Sequence, residues 1–489
     1  MGAAARTPDE RRARLQFIAA AVLVVILALS VRVVYVFTAK VEYPIRGDIN
    51  QYVLYAWNMT HRGVFSTSLP DAEVAVPDSY RGPGYPAMLA LTMELADHSD
   101  LPLRTGPNGQ LVLGYVTDTW MRYALYIQVL LGTGTVLFSI LLARLWLGRA
   151  STLGVGLGVA LWPHLITFTG ILLSETLFAF AVALSLWLLC VAERRRSARL
   201  MALAGISFGI AYLVNPVLAL FPPIAAVILC IRSSRRLGIV LLLAFAVAPL
   251  GLGWRNAQIA NSESMARRAE ENFVIGSWPQ FYTAYNTRFD NEISAQILAA
   301  EQAEQSVFLN NYAQGFEDIR TRMSLDPGYY VGWYLLKKPF LFWDWAIRIG
   351  ARDIYFLDTT NSPLDRYPVL RGVESTAHML NTALFALAIV AVVIVLAGRM
   401  RGARGTGSPL PVMPAVLFVY VTAIHVVLQA EPRYSIPFRV VEILLAFFAA
   451  AEISAFAVHF GRRGRVSGRA TIPRPSGSDE STTPPPFSP

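Results

Sequence analysis

A small set of polar residues stands beside long apolar runs, and this set combines an acidic residue with arginines. Asp48 opens a helix-like segment, GDINQYVLYAWNMTHRG, in which Tyr52 and Tyr55 follow on the same face. We expect Gly63 to end this helix as a left-handed cap. Further along, the stretch RGPGYP contributes Arg81 and Tyr85. A guanidinium offers a fixed fork of donors that suits phosphate oxygens. Arg81 is therefore a candidate phosphate-binding residue.

Three further sites lie at depths where a membrane chain normally avoids charge. Arg32 is inside the first apolar run, Glu175 interrupts another, and the motif EPRYSIP brings Arg433 and Tyr434 to the start of the last. Charges inside a membrane are costly, so each of these sites is a functional candidate.

The strongest candidates also have structural interpretations. Asp48 could be only the N-cap of its helix, since aspartate is common there. An isolated Arg81 is better explained by snorkelling to lipid headgroups. A carboxylate in the first turn of a helix, as at Glu175, is stabilised by the helix macrodipole. The sequence leaves both interpretations open for each residue.

The apolar runs predict a polytopic membrane protein with an all-α fold. The chain has 489 residues, of which 54% are hydrophobic. About ten runs are long enough to span a bilayer. They are residues 16–39, 121–147, 152–170, 172–192, 200–216, 217–231, 237–254, 376–397, 409–429 and 436–460.

The basic residues predict the orientation of these spans. The net charge is +9, and the arginines fall in alternate loops between the spans. By the positive-inside rule this places both termini in the cytoplasm of a multi-pass protein of the inner or plasma membrane. The charge is thereby explained by topology, and we expect no nucleic-acid partner.

Two segments on the opposite side are too long to be simple connectors. We expect four parts in the chain: residues 1–254 as a transmembrane module with a catalytic first outer loop at 40–120, residues 255–375 as an outer domain of mixed or mainly helical structure, residues 376–460 as the C-terminal membrane helices, and residues 461–489 as a disordered cytoplasmic tail.

Several activities lack their sequence signals. The chain has no P-loop, no GxGxxG after a strand, no HExxH and no CxxC, and its six histidines are scattered without ligand spacing. ATP-driven transport and zinc hydrolysis are therefore set aside.

Taken together, the motifs resemble a known group. Their order along the chain is GDINQYVLYAWNM, RxPxYP, ILLSETLF, NP at Asn215, WRN around Arg255, and ExRYxxP around Arg433. This series is similar to the GT-C membrane glycosyltransferases that use polyprenyl-phosphate sugars, in particular the relatives of protein O-mannosyltransferases and of lipid A aminoarabinose transferase.

The resemblance implies an inverting hexosyl or pentosyl transfer on the outer face of the membrane, from a polyprenyl-phosphate sugar to a hydroxyl of a glycan, lipid or protein. It implies Asp48 as the general base. The substrate-binding residues that it implies are Tyr52, Arg81, Tyr85, Glu175, Arg255, Arg433 and Tyr434. No cofactor is firmly expected. Many relatives carry a second acid where this chain has Ile49, so a divalent cation is left open, because one carboxylate is a poor site for it.

Two other functions are considered. A flippase or transporter of a lipid-linked sugar would also need buried charges and many spans, although transporters usually place their charges near the bilayer midplane. A non-catalytic assembly scaffold would tolerate the loss of the Asp48 carboxylate. Neither the sugar nor the acceptor follows from the sequence.

Overall fold

The computed structural model describes residues 7–96, 103–105, 111–113, 119–259, 264–400 and 410–467. The chain divides into two units, residues 1–449 and 450–489, and the polar clusters discussed below all lie in the first. Nearly all of the regular structure is helical. In the described ranges strands occur only as two short antiparallel pairs, β1 (Lys40–Val41) with β4 (Thr359–Thr360) and β2 (Leu103–Thr105) with β3 (Leu111–Leu113).

Among the described residues, ten helices precede the long polar segment. They are α1 (Pro8–Thr38), α2 (Asp48–Arg62), α3 (Gly84–Ala96), α4 (Thr119–Ala143), α5 (Arg149–Leu161), α6 (Pro163–Thr167), α7 (Glu175–Arg195), α8 (Ala198–Val214), α9 (Phe221–Arg232) and α10 (Arg235–Asn256). Short 3₁₀ turns at Phe168–Gly170 and Pro216–Leu218 precede α7 and α9.

The segment expected to form an outer domain is helical over most of its length. Its helices are α11 (Met265–Gly276), α12 (Phe281–Thr287), α13 (Glu292–Asn310), α14 (Tyr312–Ser324), α15 (Pro327–Gly332), α16 (Lys338–Phe342) and α17 (Pro363–Arg366), with a π-helical turn at Trp333–Lys337 between α15 and α16. A small core of Val274, Phe308 and Ile319 holds α11, α13 and α14 together.

The C-terminal part contains α18 (Pro368–Met400), α19 (Val412–Val427), α20 (Pro432–Ser435) and α21 (Arg439–Ser467). The last helix continues to Ser467, so helix covers the first residues of the tail that the sequence predicts to be disordered. Residues 468–489 lie outside the described residues.

In the described part of the chain, six helical stretches are long and apolar enough to cross a membrane, and α5 with the bent continuation Pro163–Gly170 would make a seventh. The expected ten spans are therefore not confirmed, although each predicted run coincides with an apolar helix. The difference lies in Ala198–Val214, Pro216–Arg232 and Val412–Val427, which have at most 17 residues. At about 1.5 Å per residue such helices fall short of a hydrocarbon core about 30 Å thick. The chain is a helical multi-pass membrane protein.

The helix that begins at Asp48 and its neighbour are bounded by glycines with different roles. Gly63 ends α2 in the left-handed conformation, with φ of 65°, as the sequence predicts. Gly82 and Gly84 instead allow a close approach, because a Cβ at Gly82 would lie 2.4 Å from the carbonyl oxygen of Leu213, and one at Gly84 would lie 2.8 Å from Val214. The glycines of RGPGYP thus let α3 begin directly against the end of α8.

Candidate functional site

The carboxylate of Asp48 lies between two arginines from distant parts of the chain. Arg81 Nη2 donates to Oδ1 at 2.7 Å, and Arg433 Nη2 donates to Oδ2 at 2.8 Å. Asp48 is the first residue of α2, and the N-cap position is held by Gly47 without a side-chain hydrogen bond. The N-cap interpretation of Asp48 is therefore wrong, and its two oxygens serve the ion pairs.

Arg81 is buried within the protein, and its guanidinium does not extend to lipid headgroups. Only 4% of its surface is exposed. Its Nε donates to Gln51 Oε1 at 2.7 Å, and its guanidinium lies 5.3 Å from the centre of the Tyr52 ring. The Tyr52 hydroxyl is in turn 3.3 Å from Ser174 Oγ. These contacts fix the arginine on one side of Asp48 and contradict the snorkelling interpretation.

Arg433 is fixed from the other side by a second acid. Its Nε lies 3.4 Å from Glu175 Oε1, and its guanidinium lies 4.5 Å from the centre of the Phe356 ring. Glu431 accepts the backbone N–H of Arg433 and also that of Arg348, the latter at 2.8 Å. The motif ExRYxxP thus begins with an acid that anchors the backbone and leaves the arginine side chain facing Asp48.

A further arginine, which the sequence interpretation missed, faces the same pocket. Arg268 on α11 lines the pocket together with Asp48 and Arg433. Within the ranges that the structure describes, its guanidinium has no hydrogen-bond or ion-pair partner, and it is half-buried. Its only sequence signal is its place in the pair RR near the start of a polar helix, and that pattern is common on solvated surfaces.

The charges around Asp48 determine its protonation. Burial raises the pKa of this carboxyl, but the nearby guanidinium groups of Arg81, Arg433 and Arg268 outweigh burial and hold the pKa well below its usual range. Asp48 is therefore ionised at neutral pH. In this arrangement it is a weak base, because both oxygens are occupied by cations.

The charged pocket is small and adjoins a larger groove. The pocket has a volume of about 30 Å³ and includes Glu175, while the groove has a volume of about 600 Å³. Asn215, Pro216, Arg268 and Tyr434 line both. Most of the remaining groove wall is apolar, with side chains from residues 217–220, α11 and α19. A polar head and an apolar tail could therefore be bound side by side.

Two of the predicted binding residues lie elsewhere. Tyr85 is fully buried and donates to Gln128 Oε1 at 3.0 Å, so it supports Tyr52 from behind, at 5.1 Å between ring centres. Arg255 donates to the backbone oxygen of Asp78 at 2.7 Å and does not line the pocket. It holds the loop between α2 and α3. Neither residue is placed to touch a ligand beside Asp48.

The residues do not fit a divalent-metal site. No group of three or more His, Cys, Asp or Glu side chains in the described part of the chain could hold a metal ion. At Asp48 an added cation would have to displace Arg81 or Arg433 from the carboxylate, which is unfavourable for two charge-assisted bonds. The two arginines thus occupy the carboxylate oxygens that a cation would need.

No protein-family model matches the chain, and no curated protein matches it. Among solved structures it is similar to the oligosaccharyltransferase AglB of Archaeoglobus fulgidus, in complex with an inhibitory peptide and a dolichol-phosphate, with 13% identity and a TM-score of 0.47. That match covers 94% of this chain and 53% of AglB, so the chain spans about half the length of that protein.

It is also similar to ArnT of Cupriavidus metallidurans bound to undecaprenyl phosphate, with 16% identity, a TM-score of 0.33, and coverage of 89% of this chain and 76% of ArnT. Both are GT-C fold, polyprenyl-phosphate-linked glycosyltransferases, the group that the sequence motifs resemble. With TM-scores below 0.5 these likenesses decide nothing about the activity, which has to be judged from the geometry of the site.

Proposed function

We propose that this protein is an inverting glycosyltransferase that moves a sugar from a polyprenyl-phosphate donor to an acceptor hydroxyl. One observation carries the proposal: a carboxylate paired with two arginines lies at the end of an apolar groove, beside Arg268, whose guanidinium has no partner among the described residues. The phosphate would bind where the pocket and the groove meet, at Arg268 and Tyr434, and the groove of about 600 Å³ would take the sugar and the first isoprene units. We further propose that this site opens on the outer face of the membrane, with both chain termini in the cytoplasm.

The donor phosphate binds through Arg268 and Arg433. Both line the pocket, and Arg433 is held at its Nε by Glu175, which leaves its Nη groups to turn from Asp48 to a phosphate oxygen. Tyr434 forms the wall between pocket and groove, where the phosphate would pass into the lipid tail. An Arg–phosphate pair is charge-assisted and can be bidentate, so the phosphate competes well with a carboxylate.

The transfer itself needs one base and several cations. The acceptor oxygen attacks C1 of the sugar from the side opposite the phosphate, while Asp48 takes the hydroxyl proton. The bond between C1 and the phosphate oxygen breaks, and the electron pair leaves with the phosphate. Arg268 and Arg433 stabilise the charge on that leaving group, so no acid has to protonate it. One displacement inverts the configuration at C1.

Donor binding also turns Asp48 into a better base. In the free protein its pKa is held below the usual range by Arg81, Arg433 and Arg268, against the effect of burial. A phosphate that draws Arg433 and Arg268 to itself removes part of that stabilisation and raises the pKa of Asp48. The carboxylate therefore gains proton affinity only when a donor is bound.

The test is sugar transfer by the full chain in proteoliposomes, with a polyprenyl-phosphate donor that carries a radiolabelled sugar. We expect the label to appear on an acceptor and free polyprenyl phosphate to accumulate. A flippase would move the labelled lipid across the bilayer and leave its phosphosugar bond intact, which would refute the proposal. An acceptor set of envelope glycan, lipid and protein fractions keeps the result independent of the acceptor's identity.

A further inference from the structure

A second, separate cavity also borders Glu175. Its volume is about 10 Å³, and its walls include Arg32 from α1, Thr135 from α4, and Glu175 and Thr176 from α7. A space of about 10–15 Å³ is what a single buried water needs, provided that polar partners surround it. The cavity is thus large enough for one water and too small for any larger ligand.

Two charged residues, Arg32 and Glu175, each contribute one polar atom that is available for a further hydrogen bond. Arg32 Nε and Glu175 Oε2 are both buried without a hydrogen-bond partner in the described part of the chain. Arg32 is fully buried, and Glu175 is 8% exposed. Their other polar atoms are engaged, since Arg32 Nη1 donates to Ala160 O at 3.0 Å and Glu175 Oε1 meets Arg433. One wall of the cavity therefore offers a donor, and another offers a charged acceptor.

Arg32 is held in place by the break between α5 and α6. Its Nη1 donates to Ala28 O at 3.1 Å and to Ala160 O, and its Nη2 donates to Val159 O at 3.4 Å. These last carbonyls of α5 have no helical partner, so a buried cation is favourable there. Gly132 leaves room for the side chain, because a Cβ at that position would lie 2.7 Å from Arg32 Nε.

We infer that this cavity holds one ordered water, which accepts a hydrogen bond from Arg32 Nε and donates one to Glu175 Oε2. The hydroxyl of Thr135 already donates to a backbone carbonyl at 2.9 Å and its oxygen still has a lone pair, so we assign it as the acceptor of the second water proton. The water then has three partners, which is the usual number for a buried site.

The consequence is a connected chain of groups that ends at the proposed base. Arg32 fixes the water, the water fixes Glu175, Glu175 holds Arg433, and Arg433 pairs with Asp48. Arg32 is thereby a positioning residue for the proposed reaction, and this part of the inference rests on the proposed function. The water site itself does not depend on it.

The first test is a density map of the purified full chain at a resolution that shows ordered waters. We expect one peak within hydrogen-bond distance of Arg32 Nε and Glu175 Oε2. Clear density for both side chains without a peak between them, or Glu175 turned to contact Arg32 directly, would overturn the water site. This result stands even if the protein transfers no sugar.

The second test compares matched variants of α4. Gly132→Ala places a methyl group against Arg32 Nε, whereas Gly134→Ala on the same helix meets the Phe180 ring at the same distance of 2.7 Å, away from the cavity. We expect similar losses of thermal stability in the two variants. Only Gly132→Ala should raise the donor KM, about tenfold for a loss near 1.4 kcal/mol, because Arg433 would be less well held. An equal change in donor KM in both variants would refute the positioning role.

A milder pair of variants covers the case in which Gly132→Ala does not fold. Thr135→Val removes a hydroxyl from the cavity, and Thr133→Val removes one that lies outside it. Each loses the same kind of bond to the carbonyl four residues before it, at 2.9 and 2.8 Å. We expect a measurable rise in donor KM for Thr135→Val alone. Equal donor KM values for the two variants would count against the water bridge.

Discussion

The substitution Asp48→Asn separates the role of this carboxylate as a base from its role in pairing two arginines. General-base catalysis contributes about 10²- to 10⁴-fold to a rate, so we expect transfer to fall by that factor. The loss should appear in kcat, because the base acts only on the reacting acceptor. Since Asp48 also competes with the donor phosphate for Arg433, the donor KM should stay unchanged or decrease.

The stability cost can be judged from the same geometry. Asp48 makes two bonds of 2.7 and 2.8 Å to side chains that are 4% and 9% exposed, but its own side chain is 29% exposed. Breaking a fully buried pair costs roughly 3–5 kcal/mol. Water reaches this carboxylate, and asparagine keeps one oxygen acceptor. We therefore expect Asp48→Asn to lower the free energy of unfolding by about 2 kcal/mol, less than the loss of a fully buried ion pair. The variant should therefore fold.

The assay is transfer of a radiolabelled sugar in proteoliposomes at several donor concentrations, with thermal unfolding measured alongside. The matched control is Asp358→Asn, which breaks an ion pair of the same 2.8 Å length with Arg46 where both side chains are exposed. An exposed pair is worth about 0–1 kcal/mol, so the control should retain activity and stability. Folded Asp48→Asn protein that transfers sugar at more than a tenth of the wild-type rate would refute the assignment of the base.

Three other predictions concern the charges around the site and in the 255–375 segment. Arg268→Gln should raise the donor KM about 10- to 100-fold, because one charged hydrogen bond is worth roughly 1.5–3 kcal/mol, whereas Arg267→Gln, one residue earlier on α11, should not. In pH–rate profiles, the loss of kcat on acidification should occur at higher pH than the loss of kcat/KM, because Asp48 has a depressed pKa in the free protein and a higher pKa with donor bound. Losses at the same pH would contradict this. Burial, with Glu304 and Glu271 nearby, raises the pKa of Glu301 from 4.5 to about 7. The folded state then holds a proton that the unfolded state releases, so stability should fall as pH rises from about 4.5 to 7. Glu301→Gln should remove that loss and be about 3 kcal/mol more stable than wild type at pH 8. Equal unfolding temperatures for the two proteins at pH 8 would rule this out.

The sequence by itself determined the features that depend on neighbours along the chain. Apolar runs identify the helices, since a helix in lipid satisfies its backbone hydrogen bonds within the run. Gly63 ends α2 as predicted, because the left-handed cap is a local conformation that favours glycine. The unusual depth of Glu175 and Arg433 marked both as functional candidates, and both line the pocket that contains Asp48.

The tertiary structure decided which of these groups meet. Arg433 reaches Asp48 across 385 residues, and no periodicity carries information over that distance. Arg268 was missed because a basic pair on a polar helix is equally typical of a solvated surface. Tyr85 and Arg255 belong to matched motifs yet serve as supports, at Gln128 and at the loop between α2 and α3. Residue type sets what a side chain can do, but only packing decides which partner it has, because an ion pair or a hydrogen bond requires contact in space rather than proximity in sequence.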